Sequence, residues 1–294
     1  MAARTIHPNP TQSQKTLYQS GLNLINRFVY TLRRYTAVYA ALWKASLTRE
    51  IMFKVNFLLW VVVELVWFGL QVAFVSVLYL HTEEIGSWTK WQVMLLVGVA
   101  QFIQQIFQAL FLINCANLSD LVRTGKLDFV LLMPVNPRFL VSLRQVDPSS
   151  LVNALVALGV MGYAIAQLHI KITVANLALF LLLCIVGILI HYSLMFILGA
   201  VSFWVTRSEG LVWVYYNMFQ IARLPDEAFR GVMKVIFTFV VPMLLVANVP
   251  TRTLAHTLHS PLYLLLMLGC ALVCFWASSL VWKSAIKRYS SASS

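Results

Sequence analysis

One carboxylate, Glu64, stands inside an apolar run covering residues 55–80. The next apolar run, about residues 91–113, carries four amides, Gln101, Gln104, Gln105 and Gln108. Spacings of three and four put these amides on one helical face. A charge near the middle of a bilayer costs at least about 2.5–3.5 kcal/mol on insertion scales, so Glu64 must face protein or water. Amides turned to lipid are costly too, which places the stripe against another helix or a cavity. Two chemistries are open for each. Glu64 is either a substrate or proton contact or a hydrogen-bonded carboxyl that ties helices together. The amides either bond between helices or line a path for an amphipathic substrate.

Other reactive types offer less. His191 lies in an apolar run and suits a packed, hydrogen-bonded ring. His256 and His259 have the spacing of a metal pair but lack a third ligand. Of Cys115, Cys184, Cys270 and Cys274, the last three lie in apolar runs, with no CxxC pair and no histidine at metal-site spacing. There is no HExxH, no GxSxG and no Asp-rich metal motif, which argues against an intramembrane enzyme. The dipeptide Gly125-Lys126 lacks the upstream glycine of a phosphate-binding loop and is followed by Leu127, so the chain encodes no ATP site of that kind.

The elements that position these residues follow from composition. Of 294 residues, 60% are hydrophobic and 11% charged, where a soluble domain has about 25% charged residues. Mean hydropathy is +0.80, which makes lipid the solvent. The polar N-terminus has no apolar core of a signal peptide. Runs near 20 apolar residues predict six membrane helices, at about residues 55–80, 91–113, 151–168, 175–205, 231–249 and 261–282. Pro242 falls inside the fifth and suggests a kink.

With the N-terminus cytoplasmic, 19 Lys and Arg residues fall inside and three outside. That bias predicts that both termini are cytoplasmic and turns a net charge of +12 into an orientation signal rather than a nucleic-acid signal. Residues 23–48 carry apolar positions mostly three or four apart, from Ile25 to Leu42, with Arg27 and Arg34 off that stripe, and read as an amphipathic interfacial helix. Residues 211–222, rich in Trp213, Tyr215, Tyr216 and Phe219, read as a second interfacial helix, with a broken, re-entering helix as the competing assignment. The expected layout is an all-α integral membrane protein: a polar tail 1–22, an interfacial helix 23–54, a six-helix permease body 55–282 and a cytoplasmic tail 283–294.

The cytoplasmic loop 115–148 carries structure of its own. Leu118, Leu121 and Val122 share a helical face, Gly125 is placed as a C-cap, Asp128 can cap a following helix, and Pro134 and Pro137 end it. The run Arg123, Gly125, Lys126, Leu127, Asp128, then apolar residues to Met133, Pro134, Asn136 and Pro137 resembles a cytoplasmic motif of membrane subunits of type-2 ATP-binding-cassette exporters. A second resemblance runs through Arg223, Pro225, Phe229, Arg230 and Gly231 to Pro242 and Pro250, with Phe203 and Trp204 also fitting. The one departure is the polar run Arg144 to Pro148 ahead of the third span.

The resemblance implies a permease subunit, half of a membrane domain. It implies pairing with itself or with a similar permease, ATPase subunits on the cytoplasmic side, a cell (inner or plasma) membrane location, and ATP and Mg held by the partner, with no cofactor on this chain. It makes the loop around 116–136 the ATPase-coupling element, with Leu121, Arg123, Gly125, Lys126, Leu127, Asp128, Pro134 and Pro137 as contact residues. It leaves Glu64 and the four glutamines as pathway-lining candidates. The alternative is an ion-driven carrier or channel, which would want inverted repeats and a charged relay. No similarity is visible between residues 55–168 and 175–282.

Overall fold

The computed structural model describes residues 12–205, 209–258 and 260–289; the tail 1–11, residues 206–208, His259 and residues 290–294 lie outside them. Helix α1 is Gln12–Met52 and α2 is Lys54–Leu78. α1 thus starts well before residue 23, without a break in the polar stretch. After α2 a two-stranded hairpin, β1 Glu84–Ile85 and β2 Trp88–Thr89, turns at Gly86, whose φ of 67° suits glycine. α3, Lys90–Phe107, then begins with Gln92 Oε1 accepting from Thr89 N at 2.8 Å. It runs through a π-helical turn, Gln108–Leu112, into α4, Ile113–Arg123. The result is one helix of 34 residues, Lys90–Arg123, about 50 Å long.

Two short helices follow, α5 Leu127–Leu131 and α6 Pro137–Leu143, then α7 Pro148–Gln167 and α8 Val174–Ala200. The polar run before α7 is its N-cap. Asp147 Oδ1 accepts from Ser149 N at 3.0 Å with Pro148 at the first helical position, so the helix begins earlier than the apolar pattern does. The chain ends with α9 Glu209–Met218, a 3₁₀ segment Phe219–Arg223, α10 Gly231–Val235 continued by a π-helical turn Ile236–Val240, α11 Met243–Leu254 and α12 Leu262–Arg288.

α3 is the central post, buried on nearly every side and packed against α7, α8 and α11. Close approach is bought with small residues: a Cβ on Gly199 would meet the Cys115 carbonyl at 2.7 Å, and one on Gly187 would meet Val246 O at 3.1 Å. α2 buries only Val61, Phe68 and Val75, a stripe seven residues apart, and leaves its other faces to lipid or to another chain.

Five helices are long and apolar enough to cross a membrane, or six if the pair 231–240 and 243–254, bent by 84°, counts as one span. The hydrogen bonds decide what that pair does. Lys234 near its start and Arg252 near its end both reach the Asp226 carboxylate, at 3.9 and 2.8 Å. Both ends of the bent pair therefore sit at one end of the bundle. Residues 231–249 are not one continuous helix, as the sequence-based assignment had them, but two short helices that meet at 84°.

The segment before it runs along the bundle. Along 216–227, Tyr216 bonds Gln108, Arg223 bonds Gln104 and Gln101, and Glu227 bonds Ser87. The partners fall in number as the segment advances, so 209–227 runs antiparallel to α3 from its π turn to the β-hairpin. It is no interfacial helix: Val212, Tyr215, Phe219 and Ala222 are buried against the bundle. The sequence rule missed it because its apolar stretch is too short for the 20-residue window, and the 3₁₀ turn and extended residues at its end supply the remaining reach.

Candidate functional site

The glutamine stripe faces inward as its spacing predicts. Gln101, Gln104 and Gln105 are buried and Gln108 half-buried. Gln105 Nε2 donates to Glu64 Oε2 at 3.1 Å, joining α2 to α3. Tyr216 Oη donates to Gln108 Oε1 at 2.7 Å. Gln71 of α2 donates to Gln220 at 3.2 Å. Glu64 is also on the wall of two cavities. One, of about 360 Å³, reaches Arg49 and Asp147 near the end that carries α5; the other, of about 480 Å³, lies between α2 and the 216–223 segment. Glu64 and Tyr216 border both, so a polar seam connects them.

At the heart of the seam is a residue that the sequence reading placed in a cytoplasmic loop. Arg223 is 6% exposed, and its Nη2 donates to Gln101 Oε1 and Gln104 Oε1, each at 2.5 Å. Its Nε and Nη1 have no hydrogen-bond acceptor. No carboxylate among the described residues forms an ion pair with it. A guanidinium stays charged in proteins, and a buried donor left unmade costs about 1–3 kcal/mol. The signal that could have found it is a second polar stripe, Tyr216, Gln220 and Arg223, at helical spacing within the aromatic segment.

His191 fulfils the expectation of a packed ring. It is fully buried, its centroid lies 3.9 Å from that of Phe107 and 4.3 Å from that of Phe219, and Tyr215 Oη is 3.4 Å from its Nδ1. His256, by contrast, pairs with the Asn176 amide at 3.0 Å, and its proposed metal partner His259 is outside the described residues. All four cysteines are unpaired.

At the α5 end the chain builds a knob. Gly125 has φ of 69° and ends α4 as a left-handed cap, as expected. Asp128 lies within the first turn of α5 rather than ahead of it; Lys126 holds the N-cap position. Leu121, Leu127 and Val130 are buried and pin the knob to the core, while Phe129, Leu132 and Met133 are 69%, 81% and 50% exposed. Arg123 pairs with Asp120 at 2.8 Å on the exposed side, and Lys126 and Pro134 are exposed, with Pro137 half-buried.

α1 braces the knob. Arg34 bonds the Pro134 carbonyl, Asn136 N donates to Tyr35 Oη at 3.1 Å, and Tyr35 packs edge-on to Phe139 at 5.0 Å. Arg138 of α6 locks it to the bundle. Its two terminal nitrogens donate to Ser278 and Ser279 of α12, both at 2.6 Å, and its guanidinium sits over Phe196 and Phe275 at 4.8 and 4.9 Å.

The opposite end is closed by a charged latch. Arg252 Nη2 donates to Asp226 Oδ1 and Glu227 Oε1, both at 2.8 Å, and the Arg252 guanidinium lies 4.6 Å from the Trp88 ring centre. Glu227 also accepts from Ser87 N at 2.7 Å and Ser87 Oγ at 2.8 Å. Burial pushes the Glu227 carboxyl upward, but the hydrogen bonds from Arg252 and Ser87 outweigh it and hold the group at about 2.

The described residues form a helical bundle with a buried polar seam, an apolar knob at one end and a charged latch at the other, built on helices long and apolar enough to cross a membrane. A family model for the ABC-2 family transporter protein matches residues 65–293, and the chain belongs to that family. A search of curated proteins finds no match. The family makes this chain the membrane subunit of an ABC transporter, so the expected class holds.

Proposed function

We propose that this chain is the permease half of an ABC exporter, driven by ATPase subunits that dock on the α5 knob. The observation that carries the reading is the knob itself. Three large apolar side chains, Phe129, Leu132 and Met133, project from a short helix and the turn that ends it. That helix is flanked by Arg123 and Lys126, which mark this end as lying in water rather than lipid. Exposed apolar side chains on a rigid, braced support mark a protein contact. ATP and Mg belong to the partner in this reading.

Six crossings support it: α2, the α3–α4 helix, α7, α8, residues 209–227 and α12. An even number returns the chain to its starting side, and α1 and the end of α12 both lie at the knob. Arg230 and Lys234 move to the latch end and Arg223 into the membrane, so the charge bias falls from 19 against three to 16 against five. The remaining bias supports a reading with the knob and both termini cytoplasmic, in a cell (inner or plasma) membrane. The seam opens beside the sparsely buried α2, and a second permease, identical or similar, completes the pathway.

The test is capture of the ATPase. Co-expressed with a candidate ABC ATPase subunit from the same genome, the wild-type chain retains that subunit through purification in neutral detergent. L132E loses it while the permease keeps its thermal midpoint. Retention of the ATPase by L132E, or purification of a functional unit free of any ATPase, overturns the proposal.

A further inference from the structure

We infer that the 480 Å³ cavity between α2 and residues 216–223 is a binding site for an amphipath with an oxyanion headgroup, phosphate or carboxylate, held by Arg223. The inference rests on reading the seam as part of the transport pathway and names the substrate class it takes.

The cavity has two unlike walls. α2 supplies Val62, Val66, Trp67 and Leu70, an apolar wall suited to an alkyl chain. The opposite wall supplies Gln104, Tyr216, Asn217, Gln220 and Arg223. Arg223 is more than nine-tenths buried, lines the cavity, and keeps Nε and Nη1 without an acceptor. Gln101 and Gln104 engage only Nη2 and thereby fix the guanidinium plane. A planar cation, oriented by two amides and short of acceptors, recognises an anion with several oxygens. The amides bring no negative charge that would neutralise it.

Glu64 sets the limit on charge. Its carboxylate borders the same cavity and is hydrogen-bonded to Gln105. Its oxygens oppose an anion that approaches Arg223, so the site weighs the guanidinium against an acidic group on the same cavity wall. Removing each charge should therefore move affinity in opposite directions, which a merely structural role for either residue would not do.

The experiment is calorimetric titration of the full chain in a neutral maltoside detergent, with octyl phosphate, inorganic phosphate and octyl glucoside as probes. Octyl phosphate binds, and inorganic phosphate and octyl glucoside bind at least about tenfold more weakly. R223Q weakens octyl phosphate by about tenfold or more, the scale of a lost hydrogen bond to a charged group. R223K restores part of the loss, and E64Q tightens binding by a few-fold. V66W, which fills the apolar wall without touching either charge, weakens octyl phosphate and keeps the fold assayable if R223Q assembles poorly.

Equal binding of octyl glucoside removes the anion from the proposal. Equal binding of inorganic phosphate removes the amphipath. An unchanged affinity in R223Q, or a loss in E64Q as large as in R223Q, overturns the assignment of Arg223. None of these results depends on ATPase capture, so failure here and failure of knob docking are told apart.

Discussion

Replacing Arg252 by glutamine tests the latch that holds the bent helix pair to the rest of the bundle. The side chain of Arg252 is 9% exposed, and those of Asp226 and Glu227 are 16% and 28% exposed, so the cluster is largely shielded from water. Removing one partner of a buried ion pair costs about 3–5 kcal/mol because the other charge is stranded. Here two carboxylates would be left side by side. Glu227 keeps its two bonds from Ser87 and is partly solvated, which lowers the figure to about 2–4 kcal/mol. The lost contact with the Trp88 ring is included in that range.

The assay is thermal or denaturant unfolding of the purified chain in neutral detergent, followed by tryptophan fluorescence. R252Q should unfold several degrees earlier, and the cycle R252Q, E227Q and the double variant should show coupling of at least about 1 kcal/mol. The pH dependence has a definite sign. Glu227 has a folded value of about 2 against an ordinary carboxylate value of 4.5. Its stabilisation is therefore complete above the ordinary value and is lost as pH falls from there toward 2. A loss below about 0.5 kcal/mol in R252Q at neutral pH, or additivity in the cycle, would refute the latch.

Other outcomes follow from single positions. G125A places a Cβ on a residue at φ of 69° and should destabilise the knob by about 1–2 kcal/mol, read as faster proteolysis between α4 and α5. G199A drives a methyl into the Cys115 carbonyl, 2.7 Å away; overpacking of this kind costs about 1–3 kcal/mol, seen as a lowered thermal midpoint. E64Q should leave unfolding within about 0.5 kcal/mol of wild type, since a glutamine there can still accept from Gln105 and can donate to the unpaired Gln105 Oε1. Transport by E64Q, measured beside it, separates the two roles of Glu64: activity abolished with assembly intact makes it a substrate or proton contact, and unchanged activity makes it a helix tie.

Much of this architecture was legible before any coordinate. The apolar runs located α2, α7, α8 and α12 because each exceeds the bilayer thickness in ordinary helix. The spacing of Gln101, Gln104, Gln105 and Gln108 located the seam on α3 because helical periodicity survives burial. Gly125 announced the end of α4 because a left-handed cap favours glycine. The fifth crossing was hidden for physical reasons. Residues 209–227, the fifth crossing in the proposed reading, combine one short α-helix, a tight 3₁₀ turn and an extended end, a mixture that a window counting 1.5 Å per residue does not register.

Residues 231–249 deceived in the opposite way. They are apolar enough to cross but bend at Val241–Pro242, and only the shared carboxylate of Asp226 reveals that both ends stay together. The charge count misled with them. Arg223 counts as a loop residue in the sequence because it falls between the apolar runs 175–205 and 231–249, and the rarity of arginine inside membranes is what makes its burial informative.

The unbroken helix from Lys90 to Arg123 starts beside the latch, carries the amide stripe along its middle and ends at the cap of the knob. It is in effect a lever with its load at one end and its drive at the other. The wide turn at Gln108–Leu112 is where a helix of this kind yields. A tilt of about 5° about that turn displaces the latch tip, about 30 Å away, by about 2.6 Å and the knob tip, about 20 Å away, by about 1.7 Å. Such a shift is enough to break a hydrogen bond of the kind Glu227 makes with Ser87. In the proposed reading, with an ATPase docked at the knob, a push there is passed along this helix toward its far end, with the amides that hold Arg223 carried along in between.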